Sequence, residues 1–373
     1  MGSEKHLNII SFDIPYPANY GGVIDVYYRI KALSDSGINI HLHCFKYGRD
    51  ESEQLKKICK KVYYYHRSKS VTNQLSFLPF IVKSRKSSSL LANLRSNNYP
   101  VLFEGIHCCS YLNHPALKNR VKVVRAHNIE HHYYKELSIK SNSVIERIYY
   151  RIEAAKLKNF EKVYNHADYI ASISKNDRNY FQDKYGNTFL LLPGHQNNKV
   201  KSLAGQGNFI LFHGNLSVEE NEEAALFIVK EIASKIDSRF YIAGMNPSDF
   251  LKESIRKCGN VFLIENPGAD EMQQLIRSAH INLLPTFQST GFKLKLLNSL
   301  YNGRFCLGTP QLTDGTGLQP LVEVAFNNQD FIKKIDKLLQ IDFTNEMIQN
   351  RKMVLKYFDN RQIISVLIDK LYV

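Results

Sequence analysis

No apolar run in this chain approaches the roughly 20 residues that a helix needs to cross a bilayer, which excludes a helical membrane span. Tryptophan is absent, and the aromatic content comes from 22 tyrosines and 21 phenylalanines within a chain that is 44% hydrophobic, a composition suited to a globular enzyme. The six cysteines contain no C-x-x-C pair and no regular spacing, so neither a zinc site nor a disulfide framework is indicated. Nothing resembling a signal peptide precedes the first apolar strand at 7–12. Export is therefore not expected, and a reducing cytoplasm is the expected compartment.

Acidic residues are missing from one long stretch. Residues 54–103 carry ten basic residues (Lys56, Lys57, Lys60, Lys61, Arg67, Lys69, Lys83, Arg85, Lys86, Arg95) and no acid. The net charge of +14 is one-sided as well: residues 1–200 hold 30 Lys+Arg against 16 Asp+Glu, whereas residues 201–373 hold 19 of each. Such a field attracts a polyanionic partner. A docking tip is expected where Leu75, Phe77, Leu78, Phe80, Ile81 and Val82 surround Pro79.

At 373 residues the chain exceeds what one core usually supports, so two domains are expected. Strand-like runs alternate with helical patterns at 7–12, 38–45, 101–103, 121–124, 169–173 and 189–192. Polar residues from Pro193 to Asn208 read as a linker, after which a second series follows at 209–212, 240–243, 261–264, 281–284 and 305–307. This is an α/β pattern of two doubly wound parallel sheets, with ligands at the carboxyl ends of the strands.

Four segments carry candidate chemistry. In Ser289-Thr290-Gly291-Phe292-Lys293-Leu294-Lys295, a glycine and two lysines open a helix after the 281–284 strand, with Leu294, Leu297 and Tyr301 expected on its inward face. Free N–H groups, the helix dipole and two ammonium groups together favour a phosphate there. Gly21-Gly22 opens a helix after the first strand, where a ligand can approach the backbone closely. Arg125-Ala126-His127-Asn128 ends the 121–124 strand, and Phe212-His213-Gly214-Asn215 ends the first strand of the second series. The acids at 219–223 are expected to cap the following helix. A fifth segment, Asp314-Gly315-Thr316-Gly317, reads as a turn after the 305–307 strand.

These segments resemble the donor site of retaining GT-B glycosyltransferases, in particular glycosyltransferase family four. The resemblance covers nearly the whole chain. It implies two Rossmann-like domains facing across a cleft: 1–195 on the acceptor side, 208–350 on the nucleotide-sugar side, and a terminal helix at 351–373 crossing back. It also implies that His127 and Asn128 lie near the transferred sugar. Donor contacts would come from Gly21, Gly22, Gly214, Asn215, Thr290, Gly291, Lys293, Lys295, Asn298 and Gly315. No metal or cofactor is implied; the donor is a nucleoside diphosphate sugar. The acceptor is lipid-linked or a polysaccharide, met at the inner face of an anionic membrane. No nucleic-acid motif accompanies the charge, and no nucleic-acid partner is expected.

Three departures qualify the resemblance. The family's E-x7-E pair would fall on Thr290 and Asn298, so both carboxylates are replaced. The Arg and Lys that many members carry after the glycine matching Gly214 are absent, leaving Lys293 and Lys295 to hold the diphosphate. A nucleotide-sugar 2-epimerase and a non-catalytic relative binding sugar or membrane share the fold and remain alternatives. The cluster His127, Glu130, His131 and His132 has no known metal-ligand spacing.

Overall fold

A parallel strand covered on both faces is largely apolar, and the runs above are so, apart from buried polar residues such as Asn8, His43 and Asn282. The computed structural model describes residues 4–141, 143–288 and 291–372. The chain forms two units. One holds the residues up to Gln196, together with Gly291, Phe292 and the residues from Asn360 onward; the other holds the remainder between Asn197 and Asp359.

The first unit contains β1 (His6–Ser11), β2 (Asn39–Lys46), β3 (Lys61–His66), β4 (Val101–Glu104), β5 (Lys122–Ala126), β6 (Tyr169–Ser172) and β7 (Thr188–Leu190). Their order is β3-β2-β1-β4-β5-β6-β7, and every pairing is parallel, with Ile9 opposite both Leu42 and Leu102. Side chains alternate between two cores. Leu7 and Ile9 pack with Val26, Ile30 and Leu33 of the helix Gly21–Asp35, while Ile10 faces Phe45, Phe103 and Val124.

The second unit contains β8 (Ile210–Asn215), β9 (Phe240–Met245), β10 (Val261–Glu265), β11 (Ile281–Leu284), β12 (Phe305–Gly308) and β13 (Glu323–Val324), in the order β10-β9-β8-β11-β12-β13 and again parallel. Its core gathers Phe212, Ile228, Phe240, Ile242, Leu283, Leu307 and Phe331. Both sheets are doubly wound. Strand order reverses between β1 and β4 in one and between β8 and β11 in the other, and such switch points leave a crevice at the carboxyl ends of the strands.

Several elements differ from the sequence reading. β3 was not expected, because Lys-Val-Tyr-Tyr-Tyr-His has no aliphatic run and only Tyr65 is buried at this sheet edge. β13 has two residues, too few to leave a pattern. Residues 193–208 are not a free linker: Gly194 N–H donates to Asp25 Oδ1 at 2.7 Å, and Gly205 pairs with Phe343. The terminal segment is not one helix. Asn345–Leu355 belongs to the second unit, and Asn360–Leu371 lays Ile363, Ile364, Leu367 and Leu371 into the first unit's core.

Candidate functional site

The loop after β1 is tied to itself. Asp13 accepts from Ile14 N–H and from the Tyr20 hydroxyl, each at 2.8 Å, and Tyr20 immediately precedes the helix Gly21–Asp35. Burial pushes the Asp13 carboxyl up, partly offset by those hydrogen bonds. No side chain caps this helix, so its first N–H groups stay available. The two glycines differ: a Cβ at Gly21 would meet open space, whereas one at Gly22 would lie 2.9 Å from the Phe12 ring.

Beneath that helix lies a buried charge network that the sequence reading did not find. Arg29 bridges Asp25 at 2.6 Å and Glu104 at 3.0 Å, and Arg125 reaches Asp25 at 3.0 Å. All four side chains are almost wholly enclosed. Burial opposes ionisation of Asp25, yet Arg125 and Arg29 together hold its carboxyl well below the usual range. His127, just past β5, puts Nε2 3.1 Å from Glu104 Oε2 and Nδ1 3.6 Å from Asp25 Oδ2. Both ring nitrogens therefore face carboxylates, and the side chain is only 11% exposed. One sequence signal was available: Asp25 and Arg29 stand four residues apart within the apolar face of the helix.

Asn128 Nδ2 lies 3.4 Å from Glu130 Oε1, and burial raises the Glu130 carboxyl to about 7. His131 turns away from this site, bonding the Tyr180 hydroxyl at 2.9 Å with Glu161 at 3.5 Å, and burial pushes it down to about 4. Among the described residues no group of His, Cys, Asp and Glu is arranged to hold a metal ion.

In the second unit, the helices that follow β8 and β11 meet through their first turns. Gly214 lies beside Gly244 of β9, where a Cβ on Gly244 would sit 2.0 Å from the Gly214 carbonyl oxygen. Asn215 O accepts from Asn221 Nδ2 at 2.9 Å, and Asn221 Oδ1 accepts from Lys295 Nζ at 2.9 Å. That chain of bonds draws Lys295 toward the end of β8, with its ammonium 5.1 Å from the Phe212 ring centroid. Burial pushes Lys295 down to about 8 against the pull of Glu220. Lys293 Nζ stands 2.8 Å from Glu220 Oε1.

The helix begins at Leu294, so Lys295, its second residue, lies in the first turn as expected, whereas Lys293 is the residue before the helix. Its buried side presents Leu296, Leu297, Leu300 and Tyr301; Leu294, expected inward, is partly exposed. It has no side-chain cap and no acid in its first turn. Of the acids at 219–223, Glu219, Glu220 and Glu222 lie in the first turn of the helix Glu219–Phe227, where the sequence places them, and Glu220 also meets Lys293.

The remaining candidates are more dispersed. Asn298 Oδ1 accepts from Gln273 at 3.1 Å and from Asn302 at 3.0 Å. Gly291 has a φ of +69°, a conformation that favours glycine, and Thr290 lies outside the described residues. Gly315 (φ +68°) and Gly317 (φ +77°) flank a tight turn in which Thr316 Oγ1 donates to Thr313 O at 2.7 Å.

The expected docking tip is divided between interior and surface. Ile81 and Val82 are buried, and Arg85 is enclosed, donating to Phe12 O and Ile81 O at 2.8 and 2.7 Å. Leu75 and Phe77 alone of the six apolar residues stand exposed. Among the described residues no helix is long and apolar enough to cross a membrane.

Comparison with known proteins places this geometry. No protein-family model matches the chain. An uncharacterised 44.6 kDa protein in the cps region of Klebsiella pneumoniae is 29% identical over 347 residues, covering 87% of this chain and 88% of that protein. Among solved structures, a mutant of S. aureus TarM in complex with Fondaparinux, alpha-GlcNAc-glycerol and UDP superposes with a TM-score of 0.67 at 12% identity, over 99% of this chain and 100% of that one. A glycosyltransferase from Rickettsia africae gives 0.65 at 12% identity, over 99% of this chain and 98% of that one. WaaG, a glycosyltransferase involved in lipopolysaccharide biosynthesis, gives 0.63 at 12% identity, over 98% and 99%. The fold is GT-B.

Proposed function

We propose that the chain is a glycosyltransferase that moves a hexose from a nucleoside diphosphate sugar to a lipid-linked or polysaccharide acceptor, with retention, at the cytoplasmic face of a membrane. The observation that carries this reading is the arrangement at the β8–β11 switch point: Lys293, Lys295 and the uncapped start of the helix Leu294–Asn302 beside Gly214. Negative charge accumulates on the leaving diphosphate in the transition state, and preorganised N–H and ammonium groups complement it. The relative from a cps region, and a fold neighbour solved with UDP, support a donor of this type. His127, enclosed by Glu104 and Asp25, fixes the wall of the first unit's crevice, and Asn128 beside it is the group offered to the sugar.

A second reading, donor binding without transfer, is favoured by one observation. Asn298 stands at the family's second acid position, and its amide oxygen is already engaged by Gln273 and Asn302. Titration calorimetry against a panel of nucleoside diphosphates, followed by NMR of the products from the matching nucleotide-sugar, separates the two. Release of the diphosphate with an axial or equatorial product matching the donor supports retaining transfer. Tight binding with an unchanged donor supports the second reading, and a 2-epimer among the products supports epimerisation.

A further inference from the structure

The helix Val144–Phe160 turns an apolar stripe outward. Ile145, Ile148 and Ile152 recur at the spacing of one helical face and are 81%, 53% and 51% exposed, with exposed Val144 beside them. The opposite side of the helix is anchored. Leu157 and Glu153 are buried, and Glu153 accepts from Phe80 N–H at 2.6 Å and from Lys156 Nζ at 2.9 Å. Lys156 also donates to Gln74 O at 2.7 Å, which ties the neighbouring loop to this helix. That loop carries Leu75 and Phe77, the latter fully exposed. Arg151 and Lys158, both in solvent, follow one border of the isoleucine stripe.

An exposed aliphatic stripe of this length marks an interaction surface. A basic-bordered apolar face on a 17-residue helix, roughly 25 Å long, has the form of an element that lies in the plane of a membrane interface. We propose that this face, with Leu75 and Phe77, docks on an anionic phospholipid bilayer. The isoleucines enter the boundary between headgroups and acyl chains, and Arg151 and Lys158 meet lipid phosphates. The charge of the chain selects this occupant: the whole excess of +14 lies in residues 1–200, so two copies brought face to face would set like charges together. This surface deepens the proposed function, since it rests on that reading's lipid-linked acceptor, and it centres the contact on the helix Val144–Phe160, keeping only Leu75 and Phe77 from the basic stretch 54–103.

The test is co-sedimentation of the full chain with vesicles of phosphatidylglycerol and phosphatidylethanolamine, against vesicles of phosphatidylcholine alone. Binding to the anionic vesicles is expected to fall with added salt. Ile148→Ser with Ile152→Ser changes only exposed side chains, so its melting temperature stays at the parent's while the partition coefficient drops by about tenfold or more. Arg151→Glu with Lys158→Glu lowers it by about fivefold per charge removed and weakens the salt dependence. Unchanged partition of the isoleucine variant, or equal partition onto both vesicle types, overturns the proposal. So does a dimer in light scattering that the isoleucine variant dissolves without altering vesicle binding. Nucleoside diphosphate affinity of the same variant is expected to match the parent's, so failure of the docking surface and failure of the donor site are read separately.

Discussion

Lys293 Nζ lies 2.8 Å from Glu220 Oε1, and both side chains are largely enclosed, with 14% and 15% of their surface exposed. A carboxylate thus occupies the position where a diphosphate would meet the same ammonium group. On the proposed function, a bound donor would displace Glu220 or leave it as a like charge beside the phosphate, and either costs affinity. Glu220→Gln is therefore expected to tighten nucleoside diphosphate binding, while Lys293→Ala weakens it by about 1.5–3 kcal/mol, the range of a charge-assisted contact. Calorimetric titration checks both. Weaker binding by Glu220→Gln would show that the acid orients Lys293 rather than competing for it.

Lys295 gives the site a pH dependence of defined sign. Burial lowers it to about 8, and only the ammonium form attracts phosphate. Affinity for a nucleoside diphosphate is expected to fall as pH rises through about 8, with Lys295→Arg removing the step because guanidinium stays charged. Stability moves the other way. Above pH 8 the unfolded chain binds the proton that the folded chain has released, so Lys295 contributes a rise in unfolding free energy between about 8 and its ordinary value near 10.4. Chemical denaturation of wild type and Lys295→Met across that window measures the difference; parallel curves would contradict the assignment.

The architecture was legible wherever burial on both faces favoured an aliphatic run, as at 7–12 or 281–284, because a covered parallel strand is mostly aliphatic even where it carries a buried Asn8 or Asn282. β3 escaped because tyrosines at a sheet edge leave no such run. Within the site, the glycine and lysines of 291–295 were legible because a helix start is local in sequence. Glu220 and Asn221 were not, since they meet Lys293 and Lys295 from more than 70 residues away, and no spacing rule reports a tertiary contact. The same holds for Arg125 and Asp25, which stand 100 residues apart.

His127 is bound into the buried network, and this alters what its removal should do. Its Nε2 bonds Glu104 at 3.1 Å, while Arg29 supplies the other partner of that carboxylate. His127→Ala is expected to cost about 1–3 kcal/mol of stability, the penalty for a buried carboxylate losing one partner. Glu104→Ala strips a partner from both Arg29 and His127 and is expected to cost about 3–5 kcal/mol. Urea denaturation ranks the two. If His127→Ala lowers turnover while leaving stability at the parent's level, the imidazole acts on the substrate rather than on the network.

The adjacent glycines at the first helix separate a packing role from a ligand-facing one. A methyl group at Gly22 would press on the Phe12 ring at 2.9 Å, so Gly22→Ala is expected to destabilise the first unit by about 1–3 kcal/mol through overpacking. At Gly21 the same methyl meets nothing within 4 Å, and alanine in a helix's first turn carries no penalty against glycine. Gly21→Ala should thus melt at or slightly above the parent's temperature. If substrate approaches the uncapped N–H groups there, the added methyl intrudes on it, and kcat/KM falls although the fold is intact. Thermal melts paired with turnover assays on both variants decide: equal kcat/KM for Gly21→Ala and wild type would remove this helix start from the substrate's path.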